Sequence, residues 1–297
     1  MRLLFCVNRD IYANLALNRI LPNLQPNDEC VVFFSEKVGG PKTPKAPALD
    51  FLKFYEQDLP NQYLFPLYEA LRKEAGDREA GELKTFRQLS DLHRVPMQGV
   101  RNINSLETLE QIATSQPDLI VSIRFGHIFR EAVLKLPKYG IINLHSGLLP
   151  EYRGVLATFW SLLHEASHYG YTLHHISDPS IDTGDVIERQ SMPTQPERSL
   201  FWHIVNLYEP AADSILKAIQ AYRYGAPPPM LPQAHQHGAY HSIPTAQDFD
   251  AFQRNGLKLL EEADYFRLLQ RFHSAQPDLA TLPDFRHAAS LAQPKPL

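Results

Sequence analysis

The apolar positions of this chain fall into two alternating patterns. Short unbroken apolar runs (Arg2–Val7, Cys30–Phe34, Asp118–Ile123 and Gly140–His145) are separated by stretches in which apolar residues return every three or four positions. An unbroken run rich in Ile, Val, Leu and Phe fits a strand covered on both faces, and the wider spacing fits one face of a helix. That spacing predicts helices from Ala13 to Ile20 and over 68–75, 86–92, 106–114, 129–134 and 155–166. A longer helix is predicted over 199–222, with Trp202, Ile204, Leu207, Ile215, Leu216 and Ile219 as its apolar face. A short strand at Val95 and two more, Tyr171–Ile176 and Val186–Gln190, complete the pattern. Strands alternating with helices predict an α/β fold, a Rossmann-like doubly wound sheet that is mostly parallel. Ligands of such sheets bind beyond the carboxyl ends of the strands.

Breaks in the pattern set the expected organisation. Residues 36–50 are rich in Gly, Pro and Lys and read as a loop. Gly225-Ala-Pro-Pro-Pro229 interrupts the chain, so residues 1–225 are expected to form the main domain. Residues 226–297 would be a small C-terminal appendage, with a helix near 263–272 and a Pro-rich tail. There is no internal repeat.

The polar residues that end the fourth run carry chemistry. Asn143 and His145 are two apart, so on a strand they face the same side and present an amide and an imidazole together. Ser180-Ile-Asp-Thr-Gly-Asp185 adds a carboxylate at Asp182, with Asp178 and Asp185 as competitors in the same loop. A neutral donor, an imidazole and a carboxylate suit acyl transfer to an amine. The first two steady an oxyanion, and the third orients the imidazole or accepts a proton.

Asn143-Leu-His145, Leu148-Leu-Pro150, the Tyr152-Arg-Gly154 turn and the Asp182-Thr-Gly184 block together resemble the 10-formyltetrahydrofolate-dependent formyltransferases. The resemblance covers roughly residues 90–190 and extends loosely over the first 90. It implies Asn143, His145 and Asp182 as catalytic residues and 10-formyltetrahydrofolate as co-substrate. It also implies a folate pocket from Leu148, Leu149, Pro150, Asp178 and Ile181, with Arg124, Phe125 and Gly126 on the neighbouring strand end as a second wall. Many relatives carry a serine directly before Leu-Leu-Pro, where this chain has Gly147 after Ser146. Arg153 could bind an acidic group on either substrate or pair with Glu151. The acceptor would be a primary amine or hydroxylamine of a small molecule, either an amino sugar nucleotide or an amino-acid-derived amine. A formyltetrahydrofolate hydrolase would use the same three residues, and an inactive folate-binding protein would keep the fold alone. Hydrolases of this group carry a domain ahead of the catalytic one, which favours transfer here. Tyr240–Thr245 resembles a block that follows the catalytic domain in some relatives, and implies a wall of the acceptor side or a homodimer contact.

Rival motifs are weaker. His164-Glu-Ala-Ser-His168 has the spacing of two zinc ligands one helical turn apart, with His174 as a third. However, Tyr171 stands where that pattern needs glycine, so no metal is expected. His235, His237 and His241 read as a surface loop. Asn8-Arg9-Asp10 follows the first strand in place of a glycine-rich dinucleotide turn. A net charge of −4 over 297 residues argues against a nucleic-acid partner. Cys6 and Cys30 lie in apolar runs and read as small hydrophobes, not as a disulfide. No apolar stretch approaches the ~18 residues of a membrane span, and the first residues lack a signal pattern. A cytoplasmic protein is therefore expected.

Overall fold

The computed structural model of the chain describes residues 1–36, 46–75, 81–234 and 238–273. His235, His237 and the Pro-rich tail lie outside these residues, as does most of the 36–50 loop. In chain order the elements begin with β1 (Arg2–Asn8), α1 (Ile11–Ile20) and β2 (Glu29–Ser35). A helical stretch follows, from α2 (Pro47–Lys53) through widened π-helical turns over Phe54–Asp58 and Pro60–Leu64 into α3 (Phe65–Ala75). Next come α4 (Phe86–His93), β3 (Met97–Val100), α5 (Leu106–Ser115), β4 (Leu119–Ile123), α6 (Glu131–Leu134) and β5 (Ile141–His145). The remainder is β6 (Tyr152–Gly154), α7 (Ala157–Leu163), β7 (His168–Ile176), β8 (Val186–Pro193), α8 (Leu200–Arg223), β9 (Ala239–His241), α9 (Ala246–Arg254) and α10 (Glu262–Gln270).

Seven strands form one sheet in the order β3-β2-β1-β4-β5-β7-β8, parallel from β3 to β5 and antiparallel across β5–β7 and β7–β8. The expected α/β Rossmann-like sheet, mostly parallel, is present. Alternation along each strand divides the core. Leu3, Phe5 and Val7 of β1 join the larger core with α1 and α8, while Leu4 and Cys6 face the smaller one with Ile112 and Val133. In β5, Ile142 and Leu144 enter the large core and Ile141 the small one, so Asn143 and His145 leave the strand on the side of Ile141.

Several expectations shift by local physics. The helix expected over 155–166 ends at Leu163, because Glu165 is left-handed with φ 55° and the chain turns into β7. The strand placed at Val95 lies at Met97–Val100, paired with β2. Gly225 breaks the chain but not the core. Phe249, Phe252, Leu257, Tyr265 and Leu268 beyond it belong to the large core, and Phe252 stacks on Phe159 of α7 at 4.6 Å. A two-stranded parallel sheet, β6–β9, had no signature in the sequence because each strand is only three residues long.

The sheet changes direction between β1 and β4, where loops of opposite hand diverge. A buried charge cluster fills that end. Arg124, left-handed with φ 55°, places Nε 2.8 Å from Asp10 Oδ2 and Nη2 3.0 Å from Glu56 Oε2, and lies 4.7 Å over the Tyr12 ring. The widened turn after α2 delivers Glu56 to this spot, and Asp10 also caps α1 by accepting from the Ala13 amide at 2.8 Å. Burial pushes the Glu56 carboxyl up to about 7, because the guanidinium that would lower it is shared with Asp10. The unfolded chain loses that proton near 4.5, so the contribution of Glu56 to stability is full below that pH and is lost as pH rises toward 7. Glu56→Gln should therefore flatten the fall in unfolding free energy across that window, read by urea melts. Arg124→Met should cost about 3–5 kcal/mol at neutral pH, since it strands two buried carboxyls.

Candidate active site

The residues singled out at Asn143, His145 and Asp182 meet at the carboxyl end of β5, and a fourth joins them. Antiparallel pairing sets Asn143 directly against His174 of β7, whose ring is 2 % exposed. Asn143 Nδ2 lies 3.0 Å from His174 Nε2. His174 Nδ1 lies 3.1 Å from the His175 carbonyl, which can only accept, so that nitrogen carries the hydrogen. When that is the only ring hydrogen, Nε2 accepts from the Asn143 amide. One hydrogen of that amide remains for a ligand oxygen.

His145 and Asp182 are also buried, at 7 % and 9 % exposure. His145 Nε2 donates to the Tyr152 carbonyl at 2.6 Å, and its Nδ1 lies 3.4 Å from Asp182 Oδ2. The other carboxyl oxygen, Oδ1, is 3.4 Å from His174 Nε2. These are ion-pair distances, longer than a good hydrogen bond. The shortest contact to the carboxylate is from backbone, the Gly154 N–H donating to Oδ2 at 2.9 Å. Burial would raise the Asp182 carboxyl, but His145, His174 and the Gly154 amide outweigh it and hold the group at about 2. The site is thus a permanent buried anion between two imidazoles, with a carboxamide above one of them.

The loop after β5 has no room for a larger residue at its second position. A Cβ on Gly147 would strike the Ala157 methyl and sit 2.8 Å from His145 Nε2. The serine common among relatives at this position would therefore displace the imidazole in this packing. Leu148 and Leu149, expected to line an apolar slot, are buried at 6 % and 1 %, and Thr172 Oγ1 accepts from the Leu149 amide at 3.0 Å. Only Pro150 of that trio is half-exposed.

Other expected residues are placed as follows. The Arg124 guanidinium is committed to Asp10 and Glu56. Phe125 stacks on Phe129 at 5.5 Å, and Gly126 is half-buried beside it. Asp178 does turn chemistry, accepting from the Ser180 amide at 2.7 Å, while Ile181 is 40 % exposed next to Asp182. Asp185 is exposed; its backbone carbonyl accepts from the His175 amide, and its charge acts on the His175 ring. Glu151 pairs with Arg189, not with Arg153. His164 and His168 do not share a helix, since α7 ends before the first and β7 begins at the second. His164 instead joins Tyr152, Trp160 and His241 in an aromatic cluster beside β6 and β9. Among the described residues no group of three or more His, Cys, Asp or Glu could hold a metal ion. Sequence reasoning had met His174 only as a zinc ligand; the strand register that brings it to Asn143 was the missing signal.

Residues 90–202, which contain all four groups, match the formyl transferase family model. The match takes in less than half of the chain and shows a likeness to that family over those residues. Methionyl-tRNA formyltransferase of Syntrophus aciditrophicus is 37% identical over 122 residues, 41% of this chain and 38% of that protein. The Geotalea uraniireducens counterpart is 34% identical over 111 residues, 37% of this chain and 35% of that one. The chain thus spans little more than a third of the length of these curated relatives. Among solved structures, a sugar N-formyltransferase from a Shewanella species has a TM-score of 0.53 at 15% identity, covering 91% of this chain and 87% of its own. An N-formyltransferase from Helicobacter canadensis, solved with folinic acid and dTDP-3-aminofucose, has a TM-score of 0.51 at 18% identity, covering 83% and 71%. At such identities the likeness is one of fold.

Carbon-detected NMR should find the Asp182 carboxyl still ionised at pH 3. His145→Ala should move its titration upward, toward the ordinary aspartate value of about 4. An unchanged titration would mean that the imidazole does not hold the anion.

Proposed function

We propose that this protein transfers the formyl group of 10-formyltetrahydrofolate to a primary amine of a small molecule, with an amino sugar nucleotide as the favoured acceptor class. The observation that carries the reading is the convergence of the Asn143 amide, the His145 imidazole and the buried Asp182 carboxylate at one strand end, within residues 90–202. The uncharged amine attacks the formyl carbon. Charge then builds on the formyl oxygen, where the spare Asn143 amide hydrogen and the His145 ring stabilise it. Collapse of the tetrahedral adduct breaks the bond to the folate nitrogen, which takes up the proton that the amine gives away. Asp182, ionised throughout the neutral range, holds the His145 ring in place and favours its protonated form as the oxyanion develops.

Folate as the donor is supported by the folinic acid bound in the Helicobacter enzyme, and a sugar-linked amine by that enzyme's dTDP-3-aminofucose. A tRNA acceptor is the weaker choice. The likeness to methionyl-tRNA enzymes stops near a third of their length, and the net charge of −4 does not favour a polyanion. Hydrolysis of formyltetrahydrofolate gains no support from the relatives above, which are transferases by name. No helix among the described residues is long and apolar enough to cross a membrane.

Release of tetrahydrofolate from 10-formyltetrahydrofolate, with and without a panel of amino sugar nucleotides and amino-acid amines, tests the proposal. Release that requires one amine is the expected result, and release without any amine would replace transfer by hydrolysis. Asn143→Ala should lower turnover by about 10²–10³-fold with the melting temperature unchanged.

A further inference from the structure

Antiparallel pairing continues beyond the sheet at the start of β8. Val186 and Leu231 exchange both backbone hydrogen bonds, at 2.8 and 2.9 Å. In that register each step forward from Leu231 meets a step back from Val186, so Gln233 lies opposite Gly184. Its amide nitrogen is spent there. Nε2 donates to the Gly184 carbonyl at 2.6 Å and to the Asp182 carbonyl at 3.1 Å. Two carbonyl oxygens around one atom fix the orientation of the amide, because only its NH₂ end can donate.

Those carbonyls bracket the turn that aims the catalytic carboxylate. Asp182 is left-handed, with φ 55°, a conformation that a residue other than glycine keeps only when its surroundings hold it. Gly184 packs so tightly on the His175 carbonyl that a Cβ there would collide with it. One side of the turn is therefore pressed against β7, and the other is tied by Gln233. We propose that Gln233 is a positioning residue for Asp182, fixing the turn so that the carboxylate stays between His145 and His174. The role rests on the formyl-transfer reading given above. It makes the segment beyond Gly225 part of the catalytic apparatus, even though no side chain from that segment touches the carboxylate among the described residues.

Gln233→Leu keeps the bulk and removes the donor. Turnover, read as tetrahydrofolate released with the amine identified from the panel, should fall by about 10- to 100-fold. Affinity for folinic acid, measured alone by calorimetry, should stay within about threefold, since a displaced carboxylate costs the transition state more than the ground state. The Asp182 carboxyl, followed by NMR without substrate, should titrate closer to the ordinary aspartate range. In an Asp182→Ala background the same substitution should cost nothing further, whereas a general loss of packing would multiply with it. If the leucine variant does not fold, Gln233→Met, close in length and shape and lacking the amide hydrogens, provides the same readings. Unchanged turnover with an unchanged Asp182 titration, or equal losses in both backgrounds, overturns the proposal. Full activity of Asp182→Ala would instead overturn the formyl-transfer reading and leave the NMR titration to decide the role of Gln233.

Discussion

A carboxylate buried to 9 % exposure at the end of β5 is the constraint around which the rest of this molecule is arranged. An isolated anion there would take up a proton or unfold the site. Asp182 avoids both because His145, His174 and the Gly154 amide surround it. Each partner comes from a different piece of chain. β5 supplies His145, β7 supplies His174, and the end of β6 supplies the Gly154 N–H. The antiparallel register of β7 on β5 sets His174 opposite Asn143 and so brings the second imidazole to the carboxylate.

The same constraint explains why the loop from 145 to 154 is so fully specified. Its first residue donates to the Tyr152 carbonyl, and the Gly154 amide nearby donates to Asp182, so the loop closes on both members of the ion pair. Gly147 leaves room for the imidazole, and Leu148 and Leu149 are drawn inward to anchor the bend. β9 then pairs with β6 in register and stiffens the strand that carries both backbone contacts. Apolar residues that resembled a ligand slot in the sequence are thus the foundation of the loop, and Pro150 and Ile181 are the side chains it leaves open to solvent.

Periodicity made the large sheet and its helices legible, because a strand buried on both faces or a long amphipathic helix writes its environment into every residue. The strand end with Asn143 and His145 was legible for the same reason, since an apolar run that stops in polar groups has few other uses. Contacts set by register or by short pairings were not. His174 reads from sequence as one more histidine in a strand, and its role depends on which residue of β5 it faces. Arg124 looked like a pocket residue because it sits at a strand end, but its guanidinium is claimed by Glu56, a residue 68 positions away that only the widened turn after α2 brings near. Gln233 lay in a Pro-rich stretch with no periodicity, so nothing local marked it.

Two buried charge clusters now stand side by side at the carboxyl edge of this sheet, and their chemistry separates them. Both hinge on a left-handed residue other than glycine, Arg124 in one and Asp182 in the other, each held by ionic partners. In the β1–β4 cluster the cation is a guanidinium, which does not give up its proton, so Asp10 and Glu56 can only be neutralised and packed. That cluster fixes the geometry of the loops at the point where the sheet reverses. In the β5–β7 cluster the partners of the anion are imidazoles, each with two ring nitrogens that can donate or accept. Charge that develops on a ligand beside Asn143 therefore meets imidazoles and a carboxamide, whereas Arg124 is held by its own two carboxyls. Burial of a carboxylate is common to both. The partner sets them apart, a guanidinium in one and a pair of imidazoles in the other.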